Sequence, residues 1–256
     1  MRYLGLLVLA AACGSFPVSA QTVITLPGAV RPQGKSDSTE QWSRVEQGPD
    51  PRMSAGGIEL VLPGPSNGFE EAGEKLRVTF FGLLVPANDR LLTAYVSSQK
   101  LAELNEGKST GGLGVYGLVQ VPRQFEYEDC TPRAFEKVSE SMDLYTSKTY
   151  SGTMAGLIQE QANGHLKSIG VDSVEMGRPK MLGRAFQDPN ASGFLMQAVL
   201  KVGTREIDMA GGFAALRVKQ RLIFASLWRR NESPDTVHLV STDLETWANA
   251  ILEKNK

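Results

Sequence analysis

The chain has 256 residues, of which 41% are hydrophobic and 21% are charged, a composition typical of a globular protein. Its 27 Lys and Arg residues nearly balance its 28 Asp and Glu residues, which argues against a general nucleic-acid-binding protein and against an acidic disordered chain. Two His and two Cys exclude His-rich or Cys-rich metal sites, and no pattern in the sequence predicts a cofactor.

The first residues have the pattern of a cleaved export signal. Met1 and Arg2 form a short positive start, residues 3–12 are apolar, and Val18-Ser19-Ala20 matches a signal-peptidase site. The apolar run is too short to span a bilayer, and no other segment is as apolar as a transmembrane helix. The sequence therefore predicts a signal peptide over residues 1–20 and a periplasmic or secreted mature chain.

Cys13 provides an alternative, because a small residue before a Cys is also a feature of lipoprotein signals. The Leu expected three positions before the Cys is replaced by Ala10, and Leu9 lies one position too early. Cleavage after Ala20 is the favoured interpretation, and a lipid anchor at Cys13 is the alternative. In both cases Cys130 is the only Cys free to pair, so no intramolecular disulfide is expected.

Residues 21–57 are rich in Pro, Gly, Ser and charged residues and show no helical or strand period, which predicts a flexible linker. The folded domain is then expected over residues 58–256. Alternating apolar residues over 58–62 indicate a strand. Residues 76–85 (LRVTFFGLLV) are rich in β-forming residues and predict another strand, which a turn at 86–89 would join to a strand over 90–96 as a hairpin.

The middle of the chain is predicted to be mainly helical. Residues 98–104 predict a short helix, and residues 115–121 predict a strand. Thr131 followed by Pro132 is typical of a helix start, and apolar residues then recur every three or four positions as far as Tyr145. A second apolar stripe over residues 154–169 predicts another helix.

The last third predicts two hairpins and a helix. The hairpins pair residues 181–187 with 194–202, and 213–218 with 222–228, the second turning at Lys219-Gln220. Thr242 and Glu245 have the spacing of a capping box, which predicts the start of the final helix. We expect Trp247 and Ile251 on its apolar face to pack near Trp228 or Phe224.

Strands joined by short turns, with helices between and after them, predict an α+β fold: a single domain with an antiparallel sheet and helices packed on it. The ending FAALRVKQRLIFASLW, followed by a Trp-containing helix, resembles exported PsbP-like and DcrB-like proteins. The resemblance covers about the last sixty residues and is architectural. It implies an antiparallel sheet flanked by helices and a largely non-catalytic superfamily, and it carries over no functional residue.

The sequence contains one motif of a hydrolase, in the wrong context. Residues 107–111 match G-x-S-x-G, but a predicted helix precedes Ser109 and a predicted strand follows it, whereas a nucleophile elbow has the reverse order. A periplasmic serine hydrolase using Ser109 with His165 or His238 is therefore the alternative function. The favoured function is a non-catalytic binding or assembly factor of the bacterial cell envelope.

Other polar residues predict a binding surface at most. Cys130 follows Glu126, Glu128 and Asp129 at a helix start, where a buried thiol and dipole-compatible acids are the simplest interpretation. The chain carries five positive residues and no acid between positions 215 and 230, a candidate patch for an envelope protein or an anionic surface. The patch consists of Arg217, Lys219, Arg221, Arg229 and Arg230. The alternative is a charged strand edge that prevents aggregation.

Overall fold

The fold is organised around an eight-stranded antiparallel sheet in a computed structural model. The structure describes residues 54–66, 68–79, 81–85, 88–105, 114–146, 156, 159–160, 163–164, 174–202 and 204–256. The predicted signal peptide, Cys13 and nearly all of the predicted linker lie outside these ranges. Residues 54–57 belong to a small hairpin, β1 (Ser54–Ala55) and β2 (Ile58–Glu59), that precedes the sheet.

Strands distant in the sequence are neighbours in this sheet, because the strand over Val115–Pro122 pairs with the strand over Arg221–Arg230. In spatial order its strands are β3 (Phe69–Glu71), β4 (Asp89–Ser97), β5 (Val115–Pro122), β10 (Arg221–Arg230), β9 (Arg205–Val218), β8 (Ala191–Val202) and β6 (Val174–Met176). The eighth strand, β7 (Lys180–Asp188), also pairs with β8. The helices described are α1 (Glu74–Thr79), α2 (Ser98–Asn105), α3 (Pro132–Thr146) and α4 (Thr236–Lys254).

The predicted α+β class and the antiparallel sheet are confirmed, and so are most strands. The turn between β9 and β10 falls at Lys219 and Gln220 as predicted, and both residues have a positive φ (46° and 64°). This is the backbone conformation that two-residue hairpin turns of the favoured hand require. Thr131 also caps α3 as predicted, because its Oγ1 accepts a hydrogen bond from the Ala134 N–H (3.2 Å). Most of the second predicted helix, residues 154–169, lies outside the described residues.

The predicted hairpin of residues 76–85 with 90–96 is wrong in its first strand. Residues 74–79 form α1, and Phe81–Leu84 form a 3₁₀ helix, so only the second strand exists, as β4. Phe81 and Val85 are buried whereas Val78 is 62% exposed. The buried positions are four residues apart, which is a helical spacing that the β-forming composition of the segment concealed.

The two faces of the sheet have separate hydrophobic cores. Residues of even and odd position alternate between them along β10: Phe224 and Trp228 belong to one core, and Ala225 and Leu227 belong to the other. Helix α3 covers the first core with Phe135 and Met142, and we call this side the α3 face. Helix α4 covers the second core, on what we call the α4 face.

Trp247 is fully buried on the α4 face, and the prediction that it packs near Trp228 or Phe224 is wrong. Its ring meets the ring of Tyr95 edge-on at 5.9 Å between centroids, and its Nε1 donates to the Pro63 carbonyl oxygen (2.7 Å). Trp228 and Phe224 point to the α3 face, because side chains change face with every residue of a strand.

The predicted start of the last helix at Thr242 is also wrong, because α4 begins at Thr236. Thr242 therefore lies inside the helix. The first turn is held by the Ser233 hydroxyl, which lies 3.2 Å from the Thr236 Oγ1, and by the Thr236 N–H, which donates to the Ser233 carbonyl (3.1 Å). Ser233 and Thr236 are three residues apart, as the two ends of a capping box are. Thr236 stands where a capping box has Glu or Gln, so the sequence does not show this helix start.

Two glycines make room for the tryptophans. A Cβ at Gly117 would lie 2.9 Å from the Trp247 ring, and one at Gly211 would lie 1.9 Å from the Trp228 ring. Both glycines lie within strands, where glycine otherwise weakens a sheet, and close approach of a large ring is the physical reason for their presence.

Hydrogen bonds with Asn255, which follows α4, hold the segment after β2 in place. Asn255 is buried, its Nδ2 donates to the Val61 carbonyl (2.7 Å), and its Oδ1 accepts from the Val61 N–H (2.9 Å). The Tyr95 hydroxyl donates to the neighbouring Leu62 carbonyl. Side chains of the domain thus satisfy backbone groups of Val61, Leu62 and Pro63.

Candidate functional site

A groove of about 570 Å³ lies at the end of the sheet where β4 and β10 end and β5 begins. Helix α2 and the first turn of α4 form its walls. The residues that line it are Ser97, Gln99, Lys100, Glu103, Gly114, Val115, Arg229, Arg230, Glu232, Ser233, Thr236 and Leu239. Its size is within the range of ligand-binding clefts in proteins.

Local hydrogen bonds fix both walls. Ser97 ends β4 and caps α2, because its Oγ accepts a hydrogen bond from the Lys100 N–H (3.4 Å). On the other side, Asn231 follows β10, and its side-chain amide donates to Asp208 Oδ2 (2.8 Å). The Asn231 N–H donates to the Asp208 carbonyl (2.9 Å), so the connection from β10 to α4 is anchored on β9.

Three cations of the described residues line the groove, and each pairs with a different carboxylate. Lys100 Nζ lies 2.7 Å from Glu103, Arg229 lies 2.7 Å from Asp243, and Arg230 lies 3.5 Å from Glu232. The hydrogen bond from Lys100 holds the pKa of Glu103 below its ordinary value. The cations and carboxylates give the groove a charged surface that contains both signs.

The start of α4 carries an acid, Asp235, at its N-cap, although the Asp235 side chain makes no capping hydrogen bond. The Asp235 carboxylate offsets the partial positive charge that the N–H groups of a first helical turn carry. Arg229 Nε is buried and has no hydrogen-bond acceptor.

The five predicted basic residues lie in two separate places. Arg229 and Arg230 line the groove, whereas Arg221 lies at the other end of β10, about 27 Å away at the rise of an extended strand. Arg217 and Lys219 lie with Arg221 near the β9–β10 turn. The structure thus does not bring the five together as one surface.

The cations near the β9–β10 turn bind groups of this chain. Arg217 donates to the Cys130 carbonyl (2.7 Å), Arg221 pairs with Asp129 (2.6 Å), and Lys219 donates to the Glu59 carbonyl (3.0 Å). Glu126, another of the acids before Cys130, pairs with Arg90. Among the residues that the structure describes, no group of three or more His, Cys, Asp or Glu could hold a metal ion.

Cys130 is a buried thiol, 5% exposed. Burial raises its pKa to about 11, and Arg217 opposes that shift only in part. The thiol is therefore protonated near neutral pH and is a poor nucleophile.

Asp89 is a further buried group with a displaced pKa, and it lies at the end of β4 away from the groove. Its carboxyl is 4% exposed and accepts a hydrogen bond from Gln120 Nε2 (2.9 Å). Burial raises the pKa of Asp89 to about 7, against the opposing effect of Arg123. Asp89 lies on the α3 face, beside Gln120.

The residues of the alternative hydrolase fall largely outside the described ranges. Ser109 and His165 belong to the residues that are not described. His238 is exposed in the first turns of α4, next to Leu239. The pairing of Ser109 with either His stays a prediction.

The groove itself was not predicted. Its cations were visible in the sequence only in part: Arg229 and Arg230 belonged to the predicted patch, but Lys100 did not. The register of β5 against β10 places Val115 opposite Arg229, and this pairing brings the α2 end of the sheet to the α4 start. The groove could have been predicted only from the pairing of distant strands, and a single sequence does not reveal that pairing.

No protein-family model matches the chain, and no curated protein matches its sequence. Two solved structures show a weak structural similarity. The Saccharomyces cerevisiae Ran-binding protein Mog1p is 13% identical, with 76% of this chain and 82% of that chain covered and a TM-score of 0.27. A mutant of the protein Mog1 is 11% identical, with 74% of this chain and 84% of that chain covered and a TM-score of 0.28.

None of the helices in the described ranges is both long enough and apolar enough to span a membrane.

Proposed function

We propose that this chain is an exported, non-catalytic binding or assembly factor of the bacterial cell envelope, and that the groove is its binding surface. The observation that carries the proposal is the groove, which combines charged side chains with partly exposed apolar ones. Leu239 is 42% exposed there, and Val115 is half-buried beside Arg229. A concave surface with both kinds of group is suited to binding.

The chemistry of the described residues supports binding rather than catalysis. The three buried groups with raised pKa values, Asp89, Tyr95 and Cys130, do not line the groove, and the Cys130 thiol stays protonated. The groove's cations are held in ion pairs with carboxylates of this chain. The resemblance of the C-terminal part to exported PsbP-like and DcrB-like proteins, which are largely non-catalytic, supports the same proposal.

Binding through the groove predicts that Leu239→Ser weakens capture of partners. We expect a loss of about fivefold or more, the effect typical of an apolar residue central to an interface. The measurement is crosslinking of the mature protein in envelope extracts, followed by quantitative mass spectrometry of captured proteins. Val78→Ser is the matched control, because Val78 is also an exposed aliphatic residue (62%) but lies on α1. Equal capture by the two variants would contradict the proposed surface.

Export predicts a mature N-terminus at Gln21, since Val18-Ser19-Ala20 fits a signal-peptidase site. Mass spectrometry of the protein purified from its native source measures this directly. A diacylglycerol-modified Cys13 would instead show that the protein is anchored in the envelope. Native protein that keeps Met1 would contradict export by either route.

A further inference from the structure

We propose that the groove binds an acidic segment of a partner protein, a proposal that rests on the groove being the binding surface. Lys100 comes from α2, and Arg229 and Arg230 come from the end of β10. Each cation pairs with one carboxylate of this chain, and two of these carboxylates, Glu103 and Glu232, line the groove. The Lys100 side chain is only 12% exposed, which places its charge within the groove.

Two of the internal carboxylates are replaceable. The Glu232 side chain is 74% exposed and lies 3.5 Å from Arg230, and the Glu103 side chain is 33% exposed. Ion pairs at the surface contribute little to stability, because water solvates both partners when they separate. Carboxylates of a ligand can therefore take the place of Glu232 and Glu103 while these two turn to solvent, and no charge is left buried without a partner.

The separation of the carboxylates favours a peptide over a single small anion. A phosphate ion is best held by cations that converge on one point, as in a bidentate arginine site. Here the three cations bind three different carboxylates, an arrangement that matches acidic side chains spaced along a chain. The exposed part of Leu239 offers the same segment an apolar contact.

Fluorescence anisotropy of the mature protein with a labelled hexaglutamate peptide tests the proposal. We expect binding that weakens with added salt, because exposed charges are screened. The double variant Lys100→Gln/Arg230→Gln should bind about tenfold more weakly, because two ion pairs with the peptide are lost. Arg133→Gln/Lys137→Gln is the matched control, since it removes two exposed cations from α3, which does not line the groove.

A variant with the opposite effect guards against a change in folding. Glu232→Gln removes the acid that competes for Arg230 and should tighten binding of hexaglutamate several-fold. The proposal is overturned by equal affinities of the wild type and the Lys100/Arg230 variant, by an equal loss in the α3 control, or by equal binding of hexalysine. Inorganic phosphate that displaces the peptide more effectively than chloride of the same ionic strength would show a small-anion site instead. Loss of envelope partners in Leu239→Ser, without hexaglutamate binding, would retain the groove and reject the acidic ligand.

Discussion

Replacement of Trp247 with alanine is expected to lower the free energy of unfolding by about 3–5 kcal/mol, the usual cost of removing a buried tryptophan. The side chain is fully buried between α4 and the sheet, it packs edge-on against Tyr95, and it donates a hydrogen bond to the Pro63 carbonyl. The variant would leave a cavity above Gly117 and an acceptor without its donor. Urea unfolding followed by circular dichroism measures the change.

Two further variants separate the causes. Trp247→Phe keeps most of the apolar ring and removes the hydrogen bond, so we expect a smaller loss than for alanine. Glu245→Ala lies on the exposed side of the same helix and should change stability by less than about 0.5 kcal/mol. A Trp247→Ala protein as stable as the Glu245→Ala protein would show that α4 does not depend on this contact.

Asp89→Asn is expected to make the protein more stable than the wild type above pH 7, and about equally stable near pH 4. Burial raises the pKa of Asp89 from 3.8 to about 7 in the folded state, so folding favours the protonated carboxyl. This stabilisation is complete below the unfolded pKa and is lost as the pH rises through about 7. A shift of this size corresponds to about 4 kcal/mol, because each pKa unit is worth about 1.4 kcal/mol.

The measurement is the difference in unfolding free energy between wild type and variant at pH 4, 6 and 8, which cancels the contribution of other titrating groups. Asparagine keeps an oxygen that can accept the hydrogen bond of Gln120 Nε2 and cannot ionise. Glu70→Gln, an acid-to-amide change at an exposed position on β3, is the matched control. A difference between Asp89→Asn and wild type that stays constant from pH 4 to 8 would contradict the raised pKa.

The sequence predicted those parts of the fold that depend on local patterns. Two apolar runs, at residues 213–218 and 222–228, located the last part of β9 and most of β10, and Thr131 followed by Pro132 located the start of α3. Each signal lies within a single element, so it needs no knowledge of the element's neighbours. Residues 76–85 show the limit of this approach. Their apolar residues fit a strand pattern as well as a helical one, and only the structure shows that the segment is helical, with Phe81 and Val85 buried.

Contacts between distant segments were not predictable in the same way. The burial of Trp247 was expected from its place on the apolar face of α4, but its neighbours were assigned to the wrong side of the sheet. An error of one residue along β10 exchanges Leu227 for Trp228 and thereby one face for the other. The groove was missed for a related reason, because it exists only once β5 pairs with β10 and brings α2 near α4.

The fit of Trp247 over Gly117 and of Trp228 over Gly211 also constrains how this sequence can diverge. A side chain at either glycine has no space while its tryptophan is present, and loss of a tryptophan leaves a void while its glycine is present. Each pair is therefore expected to change together over evolutionary time, with a larger residue in the strand accompanied by a smaller one opposite it. In an alignment of homologues, correlated substitution at positions 117 and 247, and at 211 and 228, would identify chains that share this arrangement of helix and sheet.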